Sequence, residues 1–444
     1  MYPMNRVRRL GERMAGTVGL VLALFLAVAG PLEAQEARPV EMTLEEAIEA
    51  ALRNHPTMVQ SRGSLQLAEV DERTAVGSFL PTLSFSTGAS LSSTERFNPT
   101  TNTTVTGSND SYSAGLSAGL DLFTGGRRGA ELARSRAETE SATASLIQQQ
   151  FAVTLAVKRA FFDALRADDL IRVANARLQR AEEGLEVAER RMQTGTATRS
   201  DVLRAQLERT DARQALLEAE AQKRSASYVL GRLVGSEAPV VPRMNEPLEP
   251  KPLALSDAEI VALVLESAPT IRSAAAAVKA GDAAARAARA QYLPSLRLSG
   301  GYDWFNQDAA FTGGRTSWNV RLGVSYPIFN GFSREAAVDR AEIQADVARA
   351  QLQDARRQAR AEVERLLANL ALARERIALA EEALRVSEED LRVQQERYRL
   401  GASTILDQIT SQLNLAQAEV NLIAARYDYQ IARAELEALA GREL

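Results

Sequence analysis

The chain contains no cysteine and only one histidine, His55, among its 444 residues. The absence of cysteine excludes disulfides, thiolate nucleophiles and cysteine-ligated metals, and a lone histidine excludes histidine-rich metal sites and paired-histidine catalysis. Since clustered site acids are missing as well, we expect no enzymatic activity and no cofactor. His55 precedes Pro56, a position that favours a helix end.

The chain also has a small net charge and few aromatic residues. The formal net charge is −4, and aromatic residues make up 5% of the chain. A broad basic surface for nucleic acid is therefore excluded. Alanine, arginine, glutamate, glutamine and leucine are abundant in the middle of each half, and this mixture favours long helices.

Long apolar runs are missing except near the N-terminus. The run at 18–29 is too short to span a bilayer comfortably, and small residues follow it. A basic segment precedes the run: Arg6, Arg8, Arg9 and Arg13. This pattern predicts a signal peptide, residues 1–34, cleaved after Ala34 or alternatively after Ala29; a membrane anchor is the other interpretation. We expect the mature chain to lie outside the cytoplasm and to use no transmembrane helix.

The two halves of the chain repeat each other. Pro269 lies 213 residues after Pro56, and farther along the chain Gly401 lies 206 residues after Gly195. Spacings that hold over most of each half indicate a duplication. The division that follows is a first repeat at 35–235, a linker at 236–257, a second repeat at 258–441 and a tail at 442–444. The linker holds five of the 14 prolines, so we expect it to be extended.

Each repeat is predicted to contain a helical hairpin. The long helices are expected at about 127–193 and 332–399, and the return helices at about 199–233 and 404–439. A helix of the first range would extend roughly 100 Å. Apolar residues three and four apart form a heptad seam, and a glycine suits the reversal between the helices of each hairpin. The first seam consists of Ile171, Ala174, Leu178, Ala181, Leu185, Ala188 and Met192. Locally, an ordinary coiled coil explains these helices equally well.

Four stretches alternate apolar and polar residues, at about 83–93, 111–123, 295–305 and 317–328. Each has about the 9–11 residues of a tilted outer-membrane strand. Small polar residues on the wet face and aromatic residues near the strand ends favour this interpretation over a soluble sheet packed on a core. The loops 93–111 and 305–317 should face the cell exterior.

Four strands cannot close a barrel, and an open sheet edge is not tolerated in lipid. Other copies of the chain must therefore complete the barrel. Two copies would give eight strands, and three would give 12 strands with room for a lumen. The strand pattern prefers neither number, although a duct needs the larger one.

Four motifs, repeated in order, carry a resemblance. They are the helix start LEEAIEAALRNHP, the LP-x-L that opens the first strand of each half, LFTGG and PIFNG before the long helices, and RYRLGASTILDQITSQLNLAQAEVNLIAARYDYQIARAEL near the C-terminus. Over essentially the whole mature chain, this layout resembles the TolC family of outer-membrane factors. The resemblance implies a mixed α and β membrane protein in which a homotrimeric 12-stranded β-barrel, four strands per protomer, continues as a long α-helical coiled-coil barrel.

The resemblance also implies the function. Such a protein is a passive outer-membrane exit duct of a tripartite efflux or type I secretion system, with its helices in the periplasm. Its expected partners are outer-membrane lipid, a periplasmic adaptor (membrane fusion) protein and an inner-membrane transporter. The alternative is an extracellular or periplasmic structural coiled-coil protein, which would explain the heptads but not the strands.

The family's periplasmic end is narrowed by an acidic ring and a latch. The resemblance assigns part of the ring to Asp407, and it places Thr410 where the family's best-known member has a second aspartate. Tyr398 matches a latch tyrosine, whereas the latch arginine is replaced by Ser403. Asp407 also suits the first turn of a helix, and Tyr398 suits simple heptad packing, so these explanations stay open.

The hairpin tips, 194–198 and 400–404, are candidate contacts for the adaptor because their small residues permit close docking. The residues concerned are Gly195, Thr196, Gly401, Ala402 and Ser403. An ordinary turn is the alternative explanation.

Overall fold

The computed structural model describes residues 39–100, 102–108, 110–244, 253–310 and 312–444. The predicted signal peptide lies outside this part of the chain. The first half contains β1 (Val40–Met42), α1 (Leu44–Asn54), α2 (Pro56–Gly77), β2 (Thr82–Ser90), β3 (Ser93–Asn98), β4 (Thr103–Ser108), β5 (Ser111–Thr124), α3 (Arg127–Gln193) and α4 (Arg199–Val234). The second half contains β6 (Val240–Pro242), α5 (Asp257–Ser267), α6 (Pro269–Arg289), β7 (Ser295–Asn306), β8 (Arg315–Ser325), α7 (Ser333–Arg399) and α8 (Ile405–Ala440).

The long helices α3 and α7 have 67 residues each, and the return helices α4 and α8 have 36 each. Their ends differ from the predicted ones by at most one residue. The prediction succeeded because no proline interrupts the helices and a glycine lies in the turn between the two helices of each hairpin. Thr404, predicted as the first residue of α8, is its N-cap. His55 ends α1 and caps the start of α2, which agrees with its predicted place at a helix end.

Each half has its own apolar core where its long helix packs against short helices and the end of the return helix. The first core includes Ala47, Met58, Val157, Phe161 and Leu230. The second core includes Ile260, Ile271, Val363, Leu367 and Leu436. These two sets stand at the repeat spacings of 213 and 206 residues. The duplication in the sequence is therefore a duplication of the core.

The main sheet is antiparallel, with strand order β2–β5–β7–β8. Its register places Leu116 opposite Tyr302, and Tyr302 opposite Trp318, so apolar side chains share one face. The polar residues between them share the other face. Strands β2 and β8 form the two edges, and neither edge is paired within the described part of the protomer.

Three predictions about these strands were wrong. Strand β2 ends at Ser90 instead of extending to 93. The segment 93–111, predicted as a loop, contains the hairpin β3–β4, whose strands pair from Ser93 with Ser108 to Asn98 with Thr103. Its residues are almost all polar, so the sequence has no alternation of apolar and polar residues that would predict these strands. Strand β8 ends at Ser325 instead of extending to 328. Pro327 follows closely, and proline has no N–H to donate to a ladder.

The linker 236–257 is partly a strand. Within it, β6 pairs in parallel with β1, so Val240 lies opposite Val40. Val240 is fully buried against the first core. The extended conformation predicted from the prolines is present here, and the pairing connects the start of the first repeat with the linker that follows it.

An arginine in the first turn of each long helix anchors the junction between sheet and helices. The Arg128 guanidinium lies 4.9 Å from the centre of the Phe79 ring, and its Nη1 donates to the Ser78 carbonyl at 3.0 Å. In the second repeat, Arg334 lies 4.3 Å from the centre of the Tyr292 ring and donates to the Pro327 carbonyl at 3.3 Å. The contact between arginine and aromatic ring is therefore repeated at both places where strand becomes helix, although the carbonyl acceptors lie on different segments.

Within the described part of the chain, one helical stretch, Asp257–Tyr292, has the length and composition to cross a membrane. The sequence predicts no transmembrane helix. Pro269 interrupts this stretch between α5 and α6, and α6 packs between α3 and α7. Ala276 and Ala283 are fully buried there. Close packing of an alanine-rich helix accounts for its apolar character.

Candidate functional site

Both hairpins end in tips with the same backbone. In the first tip, Gly195 has a left-handed conformation with φ of 76°, and the Thr196 N–H donates to the Arg191 carbonyl at 2.8 Å. The second tip repeats this with Gly401 at a φ of 77° and Ala402 donating to the Arg397 carbonyl at 2.8 Å. This is the Schellman arrangement, which requires a residue without a Cβ penalty. The candidate contact residues of both turns are exposed, except that Ser403 is half-buried.

Asp407 lies in a capping box at the start of α8. Its Oδ2 accepts from the Thr404 backbone N–H at 2.9 Å and from the Thr404 hydroxyl at 2.8 Å. These hydrogen bonds hold the pKa of the Asp407 carboxyl below its ordinary value. Asp201 makes the same box with Thr198, and its pKa is lowered for the same reason. The structure thus places Asp407 as the first-turn acid that the sequence allowed, with its side chain exposed.

Thr410 and Ser403 are engaged within the second hairpin. The Thr410 hydroxyl donates to the Leu406 carbonyl at 2.8 Å, so this exposed residue is committed to its own helix. The Ser403 hydroxyl donates to the Gln394 carbonyl at 3.5 Å. Neither side chain supplies charge to the tip.

Tyr398 is 5% exposed and connects the two tips. The guanidinium of Arg191, from the first hairpin, lies 4.4 Å from the centre of its ring. Arg191 also donates one hydrogen bond to the Tyr398 carbonyl and another to the Thr196 carbonyl, the latter at 3.3 Å. Burial raises the pKa of the Tyr398 hydroxyl, which has no hydrogen-bond partner in the described chain. Both residues of this contact are supplied by a single protomer.

Sequence reasoning missed Arg191. The only available signal was that two last-turn arginines, Arg191 and Arg397, stand at the repeat spacing. Nothing in the periodicity says which of them crosses to the other hairpin. A second bridge lies farther from the tips, where the Arg180 guanidinium donates to Glu419 at 3.1 Å. The two hairpins are therefore joined at several levels, since α3 and α8 also make polar contacts still farther from the tips.

The sheet presents a wide apolar surface at the other end of the molecule. Trp318 is 75% exposed and Leu83 is 70% exposed, and other large apolar residues lie on the same face. These are Phe85, Leu116, Tyr302, Val320, Leu322 and Val324. Single exposed apolar residues are ordinary, but a contiguous face of this kind indicates contact with another apolar phase.

In the part of the chain that the structure covers, no group of three histidine, cysteine, aspartate or glutamate side chains could hold a metal ion. The charged groups at the tips form caps and bridges instead.

Several characterised proteins are similar in sequence. The Bordetella pertussis protein CyaE is 26% identical over 78% of this chain and 73% of its own length. The Brucella suis outer membrane efflux protein BepC is 23% identical over 95% of this chain and 90% of its own length. The Pseudomonas aeruginosa pyoverdine export outer membrane protein OpmQ is 27% identical over 67% of this chain and 63% of its own length.

Solved structures share the fold. The CusC transmembrane channel superposes with a TM-score of 0.79 at 22% identity, covering 90% of this chain and 92% of that one. The open-state MtrE outer membrane channel of Neisseria gonorrhoeae gives 0.77 at 21% identity, covering 90% of this chain and 89% of that one. The predicted architecture, helical hairpins on a four-stranded sheet with an internal repeat, is confirmed by these likenesses.

The sequence profile of the family described as outer membrane efflux protein matches residues 47–236 and 260–442, which leaves out little besides the N-terminal segment and the linker. The two matched blocks are the two repeats found in the sequence. The chain therefore belongs to the outer membrane efflux protein family.

Proposed function

We propose that three copies of the chain form one passive exit duct. Each protomer contributes four strands, and the β8 edge of one copy pairs with the β2 edge of the next to give a 12-stranded barrel. Two facts support this arrangement: both edges lack a partner within the described protomer, and one face of the sheet is apolar. Closure removes the unpaired backbone groups that lipid does not tolerate. The hairpins then continue the wall into the periplasm.

The observation that carries the gating part of the proposal is the contact between Arg191 and Tyr398. It ties the first hairpin to the second at the tips, where the duct is narrowest. Arg191 takes the role that the family resemblance gives to an arginine at 403, where this chain has serine. Breaking this contact allows the two hairpins to separate and the passage to widen.

Asp407 and the tips complete the periplasmic end. Three copies of Asp407 around the axis form an acidic ring that attracts cations, and Thr410 adds no charge to it. The exposed turns, with Gly195, Thr196, Gly401, Ala402 and Ser403, receive the periplasmic adaptor. An inner-membrane transporter drives the cargo, and the duct itself catalyses no reaction.

The transporter determines the cargo. Relatives carry names as different as pyoverdine export protein and solvent efflux pump protein, although they share this family. The chain reaches the outer membrane after removal of residues 1–34, and the two repeats flank the linker 236–257.

Site-specific photo-crosslinking in cells tests the docking surface. A photoreactive residue replaces Thr196 or Ala402, and the control position is Arg213, which is exposed on α4 away from the tip. We expect the adaptor to be captured at both tips and not at Arg213, with efflux retained. Functional efflux without capture at either tip contradicts the docking proposal. Recovery of the protein in the soluble periplasmic fraction contradicts the duct itself.

A further inference from the structure

The polar face of the sheet carries charged residues next to glycines. Arg297 and Asp303 project from β7 on this face, and Gly115 and Gly119 lie on the adjacent strand β5. In the closed barrel of the proposed function, this face lines the bore. Its side chains therefore determine how much of the bore stays open.

Arg297 lies flat against the wall. Its Nη1 contacts the Asp121 carboxylate at 3.2 Å, and its Nη2 lies over Gly119. A Cβ atom added to Gly119 would stand 3.0 Å from this Nη2 and 3.3 Å from the Thr82 hydroxyl oxygen. Such a contact is tighter than ordinary van der Waals packing, so an alanine there would push the guanidinium away from the sheet.

Asp303 is accommodated in the same way. A Cβ atom at Gly115 would stand 2.6 Å from the Asp303 Oδ1, a distance that requires the carboxylate to move. A Cβ atom at Gly301 would stand 3.5 Å from the Oδ2 of the same carboxylate. The side chain therefore occupies the space that a side chain at Gly115 would need, whereas the contact at Gly301 would be an ordinary one.

The backbone does not require these glycines. Neither Gly115 nor Gly119 has a positive φ, in contrast to the glycines of the hairpin tips. Glycine in the interior of a strand costs stability, because it loses much backbone freedom and packs no side chain. Close approach by another group is the remaining reason for glycine in a strand, and the charged side chains supply that approach.

The barrel is narrow enough that the direction of the Arg297 side chains affects the open width of the bore. Twelve strands about 4.8 Å apart and tilted by about 40° give a wall with a radius of roughly 12 Å at the backbone. Three arginine side chains standing perpendicular to that wall would occupy much of the bore. Lying flat, the same side chains leave the bore open and keep each Arg297 charge beside Asp121.

We propose that Gly115 and Gly119 set the width of the barrel bore by giving Asp303 and Arg297 space to lie against the wall. The inference rests on the proposed closed barrel. It names the residues that determine the width of the bore. It concerns the barrel alone and does not depend on how the periplasmic tips open.

A sieving experiment tests this inference. Because the natural chain has no cysteine, Ser325→Cys on the polar face at the helix end of β8 introduces a single thiol. Maleimide polymers of graded size are added outside intact cells, and gel shifts show which sizes reach the thiol. From the outside, the polymers must pass the levels of Asp303 and then Arg297.

We expect Gly119→Ala to shift the size limit to smaller polymers, and Gly115→Ala to shift it less because aspartate is shorter. The matched control is Gly323→Ala, on the same face and directly opposite Arg297, where within the described protomer a Cβ atom meets only the Arg297 carbonyl oxygen, at 4.0 Å. Adding Arg297→Ala to the Gly119→Ala variant should restore the original limit, because the displaced side chain is then absent.

Two results overturn the inference: a Gly119→Ala limit equal to that of Gly323→Ala, or a reduced limit that persists when Arg297 is also removed. If Gly119→Ala fails to form the oligomer and Gly115→Ala still forms it, the Gly115→Ala variant decides. Its limit should return to the original one when Asp303→Ala is added. Failure of the barrel proposal looks different, because the thiol would then lie behind the intact outer membrane and no polymer would label any variant, including the parent.

Discussion

The two hairpin tips share one backbone and differ in their side chains. Both have the same glycine turn and the same threonine–aspartate capping box. However, Met192 is 39% exposed, whereas its counterpart Tyr398 is 5% exposed. Arg191 reaches across to the other hairpin, while its counterpart Arg397 donates to Ala402 in its own turn at 3.3 Å. Duplication thus fixed the turn, and substitutions at a few positions made one tip hold the other.

The largest expected effect is a difference in conductance between substitutions of Arg191 and of its counterpart Arg397. Between the two hairpins, Arg191→Ala removes the charged hydrogen bond to the Tyr398 carbonyl and the cation–π contact with the Tyr398 ring, together on the order of 2 kcal/mol. At about 1.4 kcal/mol per tenfold, this shifts the closed-to-open balance more than tenfold. We expect a higher single-channel conductance in planar bilayers for Arg191→Ala than for the control Arg397→Ala. Equal conductance of the two variants contradicts the asymmetry.

The capping boxes should respond equally, in contrast to the arginines. Thr198→Ala and Thr404→Ala each remove the side chain that accepts from the first turn, a loss of about 1 kcal/mol. Hydrogen exchange at the first turns of α4 and α8 should accelerate by similar factors in the two variants. Faster hydrogen exchange at only one of the two tips would show that the capping boxes differ in strength despite their shared geometry.

Multivalent cations should distinguish the two aspartates. If Asp407 lines the axis, Asp407→Asn removes the acidic ring and weakens cation block of the conductance. Asp201→Asn, at the matching place in the first tip, should leave the block nearly unchanged. Block that depends on Asp201 as strongly as on Asp407 would place both tips at the axis.

Acid should weaken both caps together. The pKa of each carboxyl is lowered in the folded protein from an ordinary value of 3.8. The caps' contribution is therefore complete above that pH and is lost as the pH falls through the lower folded pKa. Hydrogen exchange of the two first turns, compared at mildly acidic and strongly acidic pH, checks this expectation. Asp→Asn variants should lack this part of the dependence.

The smallest expected effect is at the Tyr398 hydroxyl. This group is buried without a hydrogen-bond partner in the described chain, so Tyr398→Phe should leave the conductance and thermal stability nearly unchanged. Tyr398→Met, which copies the first tip, should raise the conductance because the ring beneath Arg191 is lost. A large effect of Tyr398→Phe would mean that the hydroxyl has a partner in the assembled duct.

The features that could be predicted from the sequence depend on local periodicity. The ends of α3 and α7 followed from the lack of proline and the placement of glycine, and β2, β5, β7 and β8 followed from alternation of apolar and polar residues. The hairpin β3–β4 was missed because its side chains are nearly all polar, and the pairing of β1 with β6 was missed because each strand has only three residues.

The crossing of Arg191 to Tyr398 could not be predicted for a different reason. Both repeats place an arginine in the last turn of the long helix, and periodicity treats the two positions as equivalent. Their difference arises from the packing of one hairpin against the other, which brings Arg191 over an aromatic ring. Contacts between equivalent elements are a property of the tertiary structure.

Mass measurement of the detergent-purified protein tests the central claim most directly, because the account needs several copies to join the open sheet edges. Native mass spectrometry should find three chains per particle, and the particle should require detergent to stay in solution. A monodisperse single chain that is soluble without detergent would contradict the barrel and, with it, the duct.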